Sequence, residues 1–224
     1  VIDDGAMKQP IALPGQVVKQ FGGLEVSTAS TNLQALTDAF LYLVHYPFEC
    51  AEQRSSRVLS IAALRDVLSA FKTKDMPSAT EMSTSVDKDV ERLSQMQNGD
   101  GGFAYWERGR PSEPYLTVYV TSALQHAKGK GFTIPQAILD RAKDYLRTIE
   151  EHYPHYYPAD VRRTISAYAL YTRKQMGDLD VAKAKKLFAE VAIDKHNMET
   201  LGWILGTIAQ QPAATSERAA IVRH

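Results

Sequence analysis

The sequence predicts an all-α protein, and three observations carry that prediction. Apolar residues recur at steps of three and four through most of the chain beyond about Asn32, the periodic stretches are divided by short Gly, Pro and Asp punctuation, and sequence without helical period is confined to the first thirty residues. Those thirty residues, with "PIALPGQVVKQFGGLEVSTAS", read as a loop plus one or two strands.

The helices follow in order. "LQALTDAFLYLVHY" is stopped by Pro47, because proline supplies no amide and clashes with the turn before it. A second helix opens near Cys50 and runs to about Phe71, with Val58, Ile61, Leu64, Leu68 and Phe71 forming one apolar stripe. "ATEMSTSVDKDVERLSQMQ" comes next and ends at the turn-forming "NGDGG". In "EPYLTVYVTSALQHAKGKG" the stripe is Leu116, Val120, Ala123, Leu124 and Ala127, and in "TIPQAILDRAKDYLRTI" the same steps give Ile138, Ala142, Tyr145, Leu146 and Ile149. Thr133 is the expected cap of the latter, with Pro135 in its first turn. "ADVRRTISAYALYTRKQMG" is closed by Gly177, and "DLDVAKAKKLFAEVA", "NMETLGWILGTIAQ" and "TSERAAIVRH" complete a series of about nine helices. Short connections make antiparallel pairs, which stack equally well as a bundle, a solenoid or a ring of hairpins.

Composition narrows the function. A chain of 224 residues with 44% hydrophobic content can bury a substantial core. Lys plus Arg and Asp plus Glu each total 26, so no net field favours nucleic acid or an anionic membrane. Apolar runs such as "AFLYLV" fall far short of the roughly 20 residues of a membrane span. One cysteine excludes an internal disulfide and a cysteine-rich metal site. The histidine pair in "HYPHYY" has helical spacing, but Pro154 and Pro158 break the helix that metal binding would need, so no metal is expected. A chain opening at Val1 without an initiator methionine reads as a piece of a larger protein.

The chemistry concentrates at "YPFECAEQRSSR". A lone cysteine is often a small buried hydrophobe. Cys50, however, lies where Pro47 ends one helix and a new stripe begins, near the positive end of a helix dipole that favours thiolate. Glu49 and Glu52 oppose ionisation, and His45 is separated from Cys50 by a proline-containing turn, which argues against an attacking cysteine with a histidine base. Another use fits all the residues: across one tight turn the Gln53 carboxamide can meet the Cys50 sulfur, and loss of ammonia would close a thioester ring of about fifteen atoms. The acyl group is then the electrophile, and helix-terminal amides would stabilise the departing thiolate and the oxyanion before it. Hydrolysis must be excluded until use, for which Tyr46 and Phe48 are candidate lids.

"YPFECAEQRSS" resembles the thioester segment of the alpha-2-macroglobulin family, especially its bacterial members, in which a Tyr-Pro-aromatic stretch precedes Cys-X-Glu-Gln. "QMQNGDGGFAYW" with "EPYLTVYVTSALQHA" is similar to a second stretch of that domain, a glycine-rich turn and aromatics leading into a helix. The likeness covers about Leu24 to Tyr171. It implies an α/α toroid of helical hairpins over 31–224, C-terminally incomplete because five or so hairpins stand where six are usual, preceded by the tail of a β-rich domain over 1–30. It also implies an internal Cys50–Gln53 thioester as the only prosthetic feature, with no other cofactor. Glu52 would support that turn, and Tyr105, Trp106 and Tyr115 would join Tyr46 and Phe48 in shielding it, although ordinary packing at a turn accounts for these rings equally well.

The implied function is a single-turnover covalent protease trap rather than an enzyme. Its partners would be proteases, captured through lysine amines, and neighbouring domains of the parent protein, at a periplasmic or cell-surface location with membrane anchoring through that parent. Relatives that prefer hydroxyl targets carry a histidine before the "LT" helix; "FAYWERGRPSEPYL" has none, so direct attack by amines is expected. Two alternatives stay open. One is an enzyme of similar helical-ring architecture, such as a terpene cyclase or a glycosidase, and the other is an interaction module with an inert cysteine.

Overall fold

The structure, a computed structural model, describes residues 8, 10–12, 15, 20, 23, 39–43, 46–69 and 77–224, with the backbone alone at 65–69. The chain divides into two compact units, Val1–Gln34 and Ala35–His224. The strands expected in the first thirty residues, His45 and Phe71 lie outside the described residues, as does the side chain of Leu68.

The second unit is all-α. Residues 39–43 are helical, and among the described residues eight α-helices follow: α1 (Ala51–Ser69), α2 (Ala79–Met96), α3 (Pro114–Gly129), α4 (Gln136–Arg147), α5 (Ala159–Gln175), α6 (Val181–Ala189), α7 (Met198–Ile208) and α8 (Thr215–Arg223). Consecutive helices pair as hairpins, α1 with α2, α3 with α4, α5 with α6 and α7 with α8, while α1, α3, α5 and α7 also pack on one another in that order. The result is a two-layer array in which alternate helices form the inner layer.

Burial follows this placement. Inner α3 buries Leu116, Thr117, Val118, Val120, Thr121, Ala123 and Leu124, residues spread around its circumference. Outer α4 buries only one stripe, Ile138, Leu139, Ala142, Tyr145 and Leu146. One apolar cluster joins the first two hairpins through Val58, Ile61, Leu93, Leu124 and Ile138. Another joins the last two through Leu170, Leu187, Leu201, Ile204 and Ile208.

Helix ends carry recognisable signals. Ser78 and Glu81 make a reciprocal capping box at α2. The side chains of Asp180 and Asn197 accept the Lys183 and Thr200 amides at 2.9 and 2.7 Å. At the end of α5, Gly177 has φ 78°, and the amides of Gly177 and Asp178 reach the carbonyls of Lys174 and Arg173, which is the Schellman pattern. The cap expected at Thr133 is a correction: α4 opens only at Gln136, so Pro135 occupies the capping position and makes no side-chain hydrogen bond there.

Candidate functional site

Cys50 immediately precedes α1, and its carbonyl accepts the first helical hydrogen bond from the Arg54 amide at 3.0 Å. Its thiol is free of any disulfide and the residue is 2% exposed. Gln53, in the first turn, folds back so that its side-chain Oε1 accepts the Cys50 amide at 3.1 Å. The Gln53 side chain is therefore held in the same turn as Cys50, with its carboxamide anchored on the cysteine's own backbone amide.

A second motif holds this turn in place. The Ala51 amide donates to the Tyr105 carbonyl at 2.7 Å. That carbonyl belongs to a loop braced by "QNGDGG": Asn98 donates from Nδ2 to the Arg110 carbonyl and Ser112 Oγ at 2.8 and 2.9 Å, and its Oδ1 accepts the Gly109 amide at 2.8 Å. Glu113 closes the loop by donating its amide to the Phe103 carbonyl at 2.9 Å. Buried Gln97 donates to the carbonyls of Gly101 and Ile138, both at 2.9 Å, and accepts from Arg141 Nε at 2.8 Å, so its burial is fully compensated. Gly101, at φ 89°, leaves no room for a side chain, since a Cβ would stand 2.2 Å from the Arg141 carbonyl oxygen.

A charged network escaped the sequence reading. Asp89 on α2 is 1% exposed and accepts two bonds from Arg57, both at 2.7 Å, and one from Arg54 at 2.8 Å. Arg54 also donates from Nε to the Glu49 backbone carbonyl at 3.0 Å and pairs with the Glu49 carboxylate. The residue just before Cys50 is thereby tied to the neighbouring helix. Hydrogen bonding to Asp89 raises the Arg57 pKa above its ordinary value against the opposing effect of burial. A signal was present: Asp89 follows Val86 by three positions in α2 and so falls on that helix's buried stripe.

Of the expected lid residues, four of the five are exposed. Tyr46 is half-buried and packs between Tyr42 and Phe48, with ring centroids 5.3 and 5.5 Å apart. Phe48 and Trp106 are exposed at 58% and 64%, and Tyr105 and Tyr115 at 41% and 45%. Burial first, then the Glu52 and Glu113 charges, pushes the Tyr105 phenol up. Tyr115 packs against Tyr168 at 6.3 Å. Glu52 is exposed, and its backbone carbonyl accepts Ser56 Oγ at 2.9 Å. Ser56 also meets Tyr119 OH at 2.8 Å, tying α1 to α3. The histidine pair does not converge: His152 stacks on Tyr145 at 3.7 Å while His155 lies against Tyr156. Among the described residues no cluster of three or more His, Cys, Asp or Glu could hold a metal ion.

The fold and site together define a helical-hairpin domain that presents a buried cysteine and a folded-back glutamine at one helix start. No protein-family model matches the chain. The Escherichia coli K12 alpha-2-macroglobulin is 34% identical over 102 residues, covering 45% of this chain and 6% of that protein. The Dictyostelium discoideum protein named Circularly permutated Ras protein 2 is 26% identical over 226 residues, covering 93% of this chain and 6% of that protein. The chain thus spans about 6% of the length of these curated relatives. Among solved structures, native E. coli alpha-2-macroglobulin from domain MG7 to the C-terminus aligns with TM-score 0.72 at 23% identity, over 84% of this chain and 30% of that one. Salmonella alpha-2-macroglobulin reacted with methylamine gives 0.71 at 21%, over 84% and 12%. Trypsin-activated E. coli alpha-2-macroglobulin gives 0.62 at 23%, over 80% and 13%. The resemblance carried by the two motifs is therefore met: the curated relatives include bacterial alpha-2-macroglobulins, and the fold is that of a region of the E. coli and Salmonella proteins.

Proposed function

We propose that this chain is the thioester domain of a bacterial alpha-2-macroglobulin-like protease inhibitor, in which a bond between Cys50 and Gln53 acylates amines of a captured protease. The observation that carries this reading is the Gln53 carboxamide lying on the Cys50 amide at 3.1 Å. Condensation releases ammonia and joins Sγ to the Gln53 carbonyl carbon. A lysine nitrogen then attacks that carbon, the carbon–sulfur bond breaks, and sulfur departs as thiolate. The Cys50 amide already faces the oxygen on which charge develops, so it is preorganised to stabilise the tetrahedral intermediate. Burial of Cys50 shields the sulfur side of the bond from water. The reaction occurs once per molecule, so the protein is a trap and not an enzyme. Relatives reacted with methylamine and activated by trypsin support amine capture and a protease partner. In the parent protein, cleavage of a bait segment elsewhere would expose the site, at a periplasmic or surface location.

A second reading rests on the same hydrogen bond. Gln53 to Cys50 is also one half of a capping box, which serves a helix start without any covalent chemistry. Intact mass of the full-length parent separates the two. The thioester makes the native protein lighter by one ammonia, and methylamine adds its own mass while freeing a thiol. A native mass equal to the uncondensed sequence, unchanged by methylamine, overturns the proposal.

A further inference from the structure

A groove of about 230 Å³ opens beside Gln53, lined by Tyr42, Leu43, Tyr46, Glu52, Gln53 and Ser56. Cys50 is absent from that lining and buried at 2%. A nucleophile entering here meets the acyl carbon while the sulfur stays in the protein. Among the described residues Glu52 is the one charged member of the lining, and its carboxylate is in none of their ion pairs, whereas Arg54 and Arg57 are occupied by Glu49 and Asp89. Tyr42 is 63% exposed, and its ring stands 5.3 Å from that of Tyr46. Aromatic faces beside an unpaired carboxylate attract a primary ammonium on an apolar stem.

From this geometry we infer that the groove is a specificity site, in which Glu52, Tyr42 and Tyr46 gather lysine-type ammonium groups ahead of small uncharged nucleophiles. The inference rests on the thioester reading and adds residues that choose among amines. Once seated, the ammonium passes one proton through the Glu52 carboxylate to water. The freed nitrogen attacks the Gln53 carbonyl carbon, the carbon–sulfur bond breaks, and the second proton lost by nitrogen ends on the Cys50 thiolate. An amide and a thiol result, so atoms and charge balance.

The test uses the full-length parent, with thiol release followed after addition of Nα-acetyl-lysine methylamide or of hydroxylamine, which is mainly uncharged near neutral pH. Glu52→Gln lowers the rate with the lysine derivative relative to that with hydroxylamine about five-fold, and Tyr42→Leu lowers the same ratio about three-fold. Glu52→Asp restores part of the difference, and added salt slows only the lysine reaction, and only where the carboxylate is present. Intact mass before addition reports whether each variant holds the thioester. A wild-type protein without the thioester overturns both the functional reading and this inference. A protein that holds it but reacts with both probes in the same ratio in wild type and variants overturns the groove alone.

Discussion

The side-chain carbonyl of Gln53 accepts the backbone amide of Cys50 at 3.1 Å, so one residue closes a helix start onto the very residue it would acylate. On the proposed thioester reading, structural and chemical duties fall on one carboxamide, and substitution can separate them.

Replacing Gln53 by Glu keeps an acceptor for the Cys50 amide but removes the ammonia leaving group. Gln53→Glu should unfold within about 0.5 kcal/mol of the wild type, whereas Gln53→Ala should lose about 1 kcal/mol with the cap. Neither should show the mass change of a thioester. Denaturant unfolding and intact mass of the two variants check this, and equal stability of Ala and wild type would remove the capping role.

Asp89 accepts three bonds from Arg54 and Arg57 while 1% exposed. Asp89→Ala leaves two inward-facing guanidinium groups without their shared carboxylate and should destabilise by about 3–5 kcal/mol. Because Arg54 also holds the Glu49 carbonyl, the thioester fraction by intact mass should fall in parallel. An Asp89→Ala protein with normal unfolding midpoint and full thioester content contradicts this account.

The loop that holds Ala51 depends on a glycine. Gly101→Ala places a Cβ 2.2 Å from the Arg141 carbonyl at a φ of 89°, so the turn must move, with an expected loss of about 3 kcal/mol. Gly99→Ala, with nothing within 4 Å, should change stability by less than about 0.5 kcal/mol. Paired urea titrations of the two variants are the measurement, and equal midpoints would refute the assignment.

Asp178 ties α4 to α5 by accepting Arg173 and Arg147, each at 2.9 Å. The hydrogen bond from Arg173, then that from Arg147, outweighs burial and holds its carboxyl down at about 2, from a usual 3.8. The folded-state value is depressed, so the stabilisation, about 2 kcal/mol, is fully present above the unfolded value near 4 and is lost as pH falls through about 2. Asp178→Asn should therefore be less stable than wild type at pH 6 and converge on it toward pH 2. Parallel stability curves across that range would exclude the linkage.

Much of this molecule was legible in advance. The stripe through Val58 and Ile61, the repeated steps of Leu116–Ala127 and Ile138–Ile149, and the Gly177 stop each reappear as a buried face or a cap, because helical period and capping chemistry are local. Thr133 failed as a cap because its helix starts three residues later, and element ends are set by competition among nearby backbone partners. The Cys50–Gln53 turn was readable because both residues lie within four positions. Arg57 and Asp89 are 32 positions apart, and nothing in a stretch of helical sequence announces which buried carboxylate will face which arginine.

The sequence by itself determined the helices, their antiparallel pairing through short connections, and the placing of Gln53 in the turn that follows Cys50. Tertiary structure alone decided that the Tyr105 carbonyl would take the Ala51 amide, that Asp89 would steady Glu49 through Arg54, and that a groove lined by Glu52 would open beside Gln53. The division has a physical cause. Periodicity and capping act over a turn of helix, whereas packing of α1 between α2 and α3 brings together groups that no local pattern relates.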